Sequence, residues 1–163
     1  MNERSYQRAK LSTEVIVRNG AFQEKGRAVN ISLGGIFLRC PKPLPLGNDV
    51  ELIINLPDNT QLSLKGKVCR VVNCSDEDLP VGIGVSFEDM AEESKAKIEE
   101  YVRRTIRILK ALFYELNRAK INERKIKELL AVSSIEYQYP LDILREKIAA
   151  ELFNLRLRPY SKK

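Results

Sequence analysis

The first half of the chain is a series of short runs in which polar and apolar side chains alternate, separated by turn residues. Asn19-Gly20 ends the first run, and a proline-rich corner from Pro41 to Pro45 follows the third. We expect strands over residues 13–18, 27–31, 36–38, 50–56, 62–72 and 81–87, with a bulge or bend at Gly66. Six short strands at this spacing indicate a small antiparallel barrel or sandwich.

From residue 89 the period of the apolar positions changes from two to about 3.6, which is typical of helices. We expect a long helix over residues 91–119, a second capped by Asn122 and ending near 131, and a third from Pro140 to about 155. The chain is thus mainly β with a C-terminal α part: a β domain over residues 1–107 and a helical extension over residues 108–163.

The long helix carries a stripe of apolar residues at near-heptad spacing between Ile98 and Leu116. Its members are Ile98, Val102, Leu109, Leu112 and Leu116, and only Thr105 interrupts the series. Such a stripe can pack on the barrel or on the later helices. Its register also permits self-association, which makes a homo-oligomer through this helix a second interpretation.

Composition narrows the classes of function. The formal net charge is +6, of which residues 108–163 carry +5, so an anionic partner or membrane surface near that end is indicated. The chain has no histidine, which excludes Ser-His-Asp and Cys-His nucleophile pairs and every histidine-containing metal site. It has no Walker loop, Rossmann fingerprint or zinc spacing. We therefore expect a binding protein without catalytic residues, metal or cofactor, not an enzyme.

The sequence also predicts a location. No apolar run approaches the roughly 18–20 residues that a spanning helix needs, and the first ten residues are polar and charged, unlike a signal peptide. We therefore expect a cytoplasmic protein without a membrane span. In that reducing compartment, Cys40, Cys69 and Cys74 are expected to be buried small apolar side chains, with a disulfide as the less favoured alternative.

Two polar segments of the β domain are not explained by barrel building. In Arg4-Ser5-Tyr6-Gln7-Arg8, two arginines stand four residues apart on a polar arm before the first strand. The second segment, Asn30-Ile31-Ser32-Leu33-Gly34-Gly35, follows a strand. Because alternate side chains on a strand share a face, Asn30 and Ser32 should project together while Ile31 faces the core. Gly34 and Gly35 would let the backbone turn with positive φ or pass close to a ligand.

These residue types suit a nucleotide that carries both guanine and phosphate. Arginine can grip a phosphate with two hydrogen bonds, and the same fork fits the O6 and N7 acceptors of guanine. Asparagine and serine add neutral donors and acceptors that fix orientation. Arg39 and Arg70 lie near strand ends and could add charge to such a site, but we expect them to be solvated exterior side chains.

Together the two segments resemble the signature of the PilZ domain, a bacterial receptor for cyclic di-GMP: an RxxxR arm followed by [D/N]xSxxG. Gly35-Ile36-Phe37-Leu38 is similar to the family's next strand, and Gly82-Ile83-Gly84-Val85-Ser86-Phe87 to its closing strand. The resemblance covers residues 3 to about 107. It implies a six-stranded antiparallel PilZ-type β-barrel followed by a long helix, and on this chain two further helices.

The resemblance also implies roles for individual residues. Arg4 and Arg8 would hold the phosphates and one guanine edge of cyclic di-GMP, and Asn30 and Ser32 would hydrogen-bond the other guanine. Gly34 and Gly35 complete the ligand-binding set, with Gly35 allowing close backbone approach. Asn30 replaces the commoner aspartate and removes a negative charge from the site. Glu3 stands where relatives that bind a stacked ligand pair often carry a basic residue, which counts against a second bound molecule.

The functional hypothesis is a signal-transduction receptor in which cyclic di-GMP orders the arm and changes the surface shown to an effector protein or to the helices. An alternative is a PilZ-type adaptor that binds a protein partner without ligand, through the basic helical part. A nucleic-acid-binding protein is the less supported alternative, because the basic charge of the helical part is the main observation in its favour.

Overall fold

The computed structural model describes residues 6–74, 80–133 and 139–156, with side chains up to residue 153. Over these residues the chain divides into two compact units. Residues 10–99 form one unit, and the described residues on either side, 6–9 and 100–156, form the other. The division falls between residues 99 and 100, inside a helix that runs without a break from Glu92 to Leu116.

Seven strands are present in the described part of the chain: β1 (Ala9–Lys10), β2 (Glu14–Asn19), β3 (Phe22–Ile31), β4 (Gly35–Arg39), β5 (Asp49–Asn55), β6 (Gln61–Val72) and β7 (Gly82–Glu88). Their order in the sheet is β1-β3-β2-β5-β6-β7-β4, and β4 also pairs with β3. That last pairing closes β2 to β7 into a ring, to which β1 is added at β3. The predicted six-stranded antiparallel barrel is confirmed, with one additional short strand.

The barrel core follows directly from the alternation in the sequence. Val15 and Val17 on β2, and Leu52 and Ile54 on the neighbouring β5, are completely buried, whereas polar or partly exposed residues separate them. Burying a side chain of this size is worth roughly 1.5–3 kcal/mol relative to exposing it. The two-residue period therefore selects which face of each strand is buried.

The structure differs from the prediction at the start of one strand and by one additional strand, because both depend on pairing that alternation does not reveal. Gly20 adopts a positive φ of 56°, and the resulting tight turn brings Phe22 opposite Asn19. β3 consequently begins at Phe22, not at residue 27, and its polar first half pairs with β2. β1 was not predicted because two residues are too few to show a period.

The bulge predicted at Gly66 lies three residues later. Gly66 is paired regularly with Val50 and Phe87, and the register between β6 and β7 shifts instead between Val68 and Arg70. Gly66 is needed for a different reason: a Cβ there would lie 2.5 Å from the Cγ1 atom of Val85. The glycine therefore marks a close approach of β6 and β7.

All three cysteines are free thiols, but only one is buried. Cys40 is 1% exposed, whereas Cys69 and Cys74 are exposed, so the prediction of burial is wrong for these two. Cys69 is exposed because the even-numbered residues of β6 up to Val68 face inward, which leaves the odd-numbered Cys69 on the outside. Burial raises the pKa of the Cys40 thiol, and the Glu24 carboxylate, 3.7 Å from its Sγ atom, raises it further.

Three helices follow the barrel, as predicted: α1 (Glu92–Leu116), α2 (Glu123–Ser133) and α3 (Leu141–Arg156). The Asn122 side chain accepts a hydrogen bond from the Lys125 N–H at 3.2 Å, so it caps α2. The Pro140 carbonyl accepts the Leu144 N–H at 2.8 Å at the start of α3. In the described stretches, no helix combines the length and apolarity needed to cross a membrane.

The second half of the predicted stripe forms the core of the helical unit. Its leucines pack with residues of α2 and α3 in one cluster, whose buried members are Leu109, Leu112, Leu116, Ile126, Leu144, Ile148 and Leu152. All the stripe positions between Ile98 and Leu116, including Thr105, are buried within a single chain. Packing of α1 on the later helices thus explains why the leucines of the stripe are buried.

A buried carboxylate joins these helices. Glu115 on α1 is 2% exposed at its side chain; Lys125 of α2 lies 2.9 Å from Oε1, and Arg118 lies 3.2 Å from Oε2. The Lys125 hydrogen bond is the main reason that the pKa of Glu115 is lowered, and Arg118 adds to it. Arg145 of α3 donates from Nε to the Leu116 carbonyl at 3.0 Å, which satisfies an end group of α1.

Candidate functional site

A bulge in β3 places Asn30 on the outer face of the barrel. Ala28 is paired with Leu38 and Asn30 with Phe37, so Val29 is an extra residue in β3. Ala28 and Ile31 are both buried, which means that the inward-facing positions change from even to odd numbers at the bulge. Without the extra residue, Asn30 would continue the inward series. Bulges commonly re-aim a side chain in this way.

The turn after β3 is held by its own hydrogen bonds. The Ser32 N–H donates to the Gly35 carbonyl at 2.9 Å, and the Ser32 Oγ accepts the Gly34 N–H at 3.2 Å. The Gly34 carbonyl in turn accepts the Phe87 N–H of β7 at 3.0 Å. These bonds fix the turn rigidly against the barrel.

The alternation predicts that the side chains of Asn30 and Ser32 project together, but the exposed polar surface here is smaller than that. Asn30 is partly exposed, but Ser32 is 3% exposed and its hydroxyl is engaged with the turn backbone. Neither Gly34 nor Gly35 adopts positive φ. The turn uses hydrogen bonds to Ser32 instead of the left-handed conformation that glycine permits.

Gly35 meets a requirement of the barrel itself. A Cβ at this position would overlap the carbonyl oxygen of Val85 on β7. Gly82 is constrained in the same way, because its Cβ would overlap the Leu38 carbonyl oxygen on β4. Both glycines thus permit the close approach of β4 and β7.

The arm is described from Tyr6 onward, so Arg4 lies outside the described residues. Tyr6 is 47% exposed, and Arg8 is partly buried and has an interaction partner. After β1, the Leu11 N–H donates to the Val29 carbonyl of β3 at 3.2 Å. Leu11 itself is buried, so the chain that continues the arm is fixed beside the strand that carries Asn30.

Arg39 and Arg70 are exposed, as predicted for exterior arginines. Arg39 is paired across the strands with Arg27, whose Nε and Nη2 atoms donate to the Ser12 Oγ at 3.2 and 3.0 Å. On its other side Arg27 is paired with Glu14 of β2, so the repulsion between the two arginines is partly offset.

Sequence reasoning missed the bulge at Val29, although a signal for it exists. The small or apolar positions at Gly26 and Ala28 have an even spacing that Ile31 breaks. A change of phase within one strand predicts an extra residue. The burial of Ser32 has no comparable signal, because it depends on hydrogen bonds made by the backbone of the turn.

Comparison with known proteins identifies this architecture. The PilZ domain model matches residues 2–104, which is more than half of the chain, and the chain belongs to the PilZ family. No curated protein sequence matches it.

Solved structures show the same fold. The inhibitor of motility MotI/DgrA from Bacillus subtilis has a TM-score of 0.56 and 22% identity, with 66% of this chain and 53% of that chain covered. YcgR from Escherichia coli in complex with c-di-GMP has a TM-score of 0.53 and 14% identity, with 64% of this chain and 46% of that chain covered. The MrkH–c-di-GMP complex from K. pneumoniae has a TM-score of 0.54 and 17% identity, with 68% of this chain and 56% of that chain covered. The similarity thus spans about half the length of these proteins.

Proposed function

We propose that this chain is a non-enzymatic cytoplasmic receptor for cyclic di-GMP, with Arg4 and Arg8 on the arm and the Asn30–Gly35 turn as the ligand-binding residues. Membership of the PilZ family supports the ligand class, as do the cyclic di-GMP complexes of YcgR and MrkH. The observation that carries the proposal is the hydrogen bond from Leu11 to Val29. It fixes the chain that continues the arm beside the residue that precedes Asn30.

The chemistry of each group determines its proposed role. The guanidinium groups of Arg4 and Arg8 would bind the phosphates and one guanine through charge-assisted, forked hydrogen bonds. Asn30, which the bulge turns outward, would bind the other guanine with its amide. Ser32 supports the site indirectly, because its hydroxyl holds the Gly34 N–H and is buried. The turn is thus formed before the ligand arrives, and the arm is the part that changes.

We also propose that the arm transmits ligand binding to the helices. Residues 6–9, which include Arg8, belong to the same compact unit as residues 100–156. A ligand that binds Arg8 would therefore act on a residue that belongs to the helical unit itself. Amide hydrogen exchange in α1 to α3 should change on addition of cyclic di-GMP in the wild type and not in Arg8→Ala.

Calorimetric titration tests the ligand site directly. Loss of a hydrogen bond to a charged group costs roughly 1.5–3 kcal/mol, which corresponds to about a 10- to 150-fold weaker Kd. We expect this loss in Arg4→Ala and in Arg8→Ala. Arg18→Ala is the matched control, because Arg18 is an exposed barrel arginine on β2 that bonds to Gln23. Unchanged affinity in both arm variants would overturn the site assignment.

A ligand-independent adaptor is the second candidate, and one observation favours it. Arg104, Arg107 and Lys110 on α1 are exposed, and none has a polar partner among the described residues. No carboxylate occurs on α1 between Glu100 and Glu115. This basic face would dock an acidic partner. Partner binding that is equally strong with and without cyclic di-GMP would favour the adaptor over the receptor.

A further inference from the structure

Two bulges place two polar residues at the ends of a single row of cross-strand neighbours. The register pairs Asn30 with Phe37, Phe37 with Gly84, and Gly84 with Arg70, so the row crosses β3, β4, β7 and β6. Its ends lie three strand spacings apart, about 14 Å. Asn30 is a residue of the proposed ligand site, and Arg70 stands at the opposite end of the same row.

A β-bulge turns each of the two end residues, Asn30 and Arg70, outward. On β6, the residues from Leu62 to Val68 face inward at every second position, and continuing that series would place Arg70 inside the barrel. The bulge between Val68 and Arg70 turns it outside, as the bulge between Ala28 and Asn30 does on β3. Bulges are enriched beside functional sites, where they re-aim a side chain. Because the bulges on β3 and β6 act on the same row, we infer that Asn30 and Arg70 serve the same site.

The middle of the row is shaped to bring Arg70 close to Phe37. Gly84 has no side chain, and a Cβ there would lie 3.1 Å from the Arg70 Cβ and 3.8 Å from the Phe37 Cδ2. Phe37 is 3% exposed and Gly84 is buried, so the polar residues of the row that are at least partly exposed are its two ends. Arg70 is exposed and has no hydrogen-bond or ion-pair partner among the residues that the structure describes.

The surroundings of Arg70 favour an anionic or acceptor-rich ligand. Arg39, on the same face of β4 as Phe37, is exposed and opposite Arg27. Neither Arg39 nor Arg70 has a carboxylate among its cross-strand partners. Among the residues that the structure describes, the guanidinium group of Arg70 thus has no carboxylate partner.

We propose that Arg70 is a further binding residue of the dinucleotide site, and that it holds the half of cyclic di-GMP that lies away from the arm. This proposal rests on the proposed receptor function. A guanidinium fork fits either the phosphate or the O6 and N7 edge of that guanylate half. Asn30 and Arg70 would then fix the ligand at two points on the rigid barrel, while the arm closes over it.

The test is a calorimetric titration of the full chain with cyclic di-GMP. We expect Arg70→Ala to weaken the Kd by about 10-fold or more, the scale of a lost charge-assisted hydrogen bond. Arg70→Lys keeps the charge but not the fork, so we expect it to remain several-fold weaker than wild type. Arg18→Ala, which removes the same charge from β2, should bind like wild type.

The outcomes separate this proposal from the receptor function. If wild type binds and Arg8→Ala is weakened, but Arg70→Ala matches Arg18→Ala, the role of Arg70 is wrong and the receptor function stands. If wild type does not bind cyclic di-GMP, both fail. Urea midpoints of the variants show whether each is folded; should Arg70→Ala unfold, wild-type affinity in a folded Arg70→Lys or Arg70→Gln would contradict the proposal.

Discussion

Gly35 offers the sharpest test of what holds the candidate site in place. The family resemblance assigns this glycine to close approach of the ligand, whereas the structure shows that a Cβ here would overlap the Val85 carbonyl oxygen. That oxygen belongs to the backbone of β7, so Gly35→Ala can be accommodated only if β4 and β7 move apart. We therefore expect the alanine variant to be destabilised even when no nucleotide is present.

The magnitude follows from the kind of atom that must move. Overpacking costs typically 1–3 kcal/mol, and a rigid backbone neighbour places Gly35→Ala at the upper end, about 3 kcal/mol. Gly84→Ala is the matched control on the adjacent strand: its nearest neighbour is the Arg70 Cβ at 3.1 Å, so the two strands need to separate by only a few tenths of an ångström. We expect this control to cost less than about 1 kcal/mol. For a chain of 163 residues, Gly35→Ala should lower Tm by about 6–12 °C.

The assay must report on the barrel. The chain has no tryptophan and its tyrosines lie outside residues 10–99, so intrinsic fluorescence follows the helical unit instead. Urea unfolding by far-UV circular dichroism, with amide exchange in β4 and β7, gives the required readout. Equal stability of Gly35→Ala and Gly84→Ala would refute the strand-contact explanation. If Gly35→Ala were equally stable but bound no ligand, the glycine would serve the ligand.

Two further predictions concern the rest of the chain. A maleimide should label Cys69 and Cys74 rapidly and Cys40 slowly in the native protein, because Cys40 is buried and its pKa is raised; rapid labelling of three thiols would contradict the burial pattern. The lowered pKa of Glu115 means that its ion pairs contribute stability above the ordinary glutamate pKa, about 4.3, and lose it as the pH falls through the lowered value. The stability difference between wild type and Glu115→Gln, measured by tyrosine fluorescence, should therefore shrink at acid pH, and a constant difference would contradict this.

The barrel and the helices could be predicted because their signals are local. The two-residue period of β2 and β5 determines which side chains are buried, and the caps at Asn122 and Pro140 mark the starts of α2 and α3. β1 was not predicted, because its pairing with β3 and not its own sequence makes it a strand.

The candidate site was harder to predict, because its geometry depends on pairing between distant strands. The resemblance selected Asn30 and Ser32, but only the register shows that a bulge turns Asn30 outward, and only the turn's hydrogen bonds explain why Ser32 is buried. Arg70 lies 40 residues from Asn30 in the sequence and shares its row through two intervening strands. Such a relation has no signature in spacing.

The central proposal is that Arg4, Arg8 and Asn30 bind cyclic di-GMP. A crystal structure of the full chain grown with excess cyclic di-GMP tests it most directly. We predict the dinucleotide on the outside of the barrel beside the Asn30–Gly35 turn, with Arg4 and Arg8 on its phosphates and one guanine. A structure in which this face is empty and the ligand is absent or bound elsewhere would contradict the account.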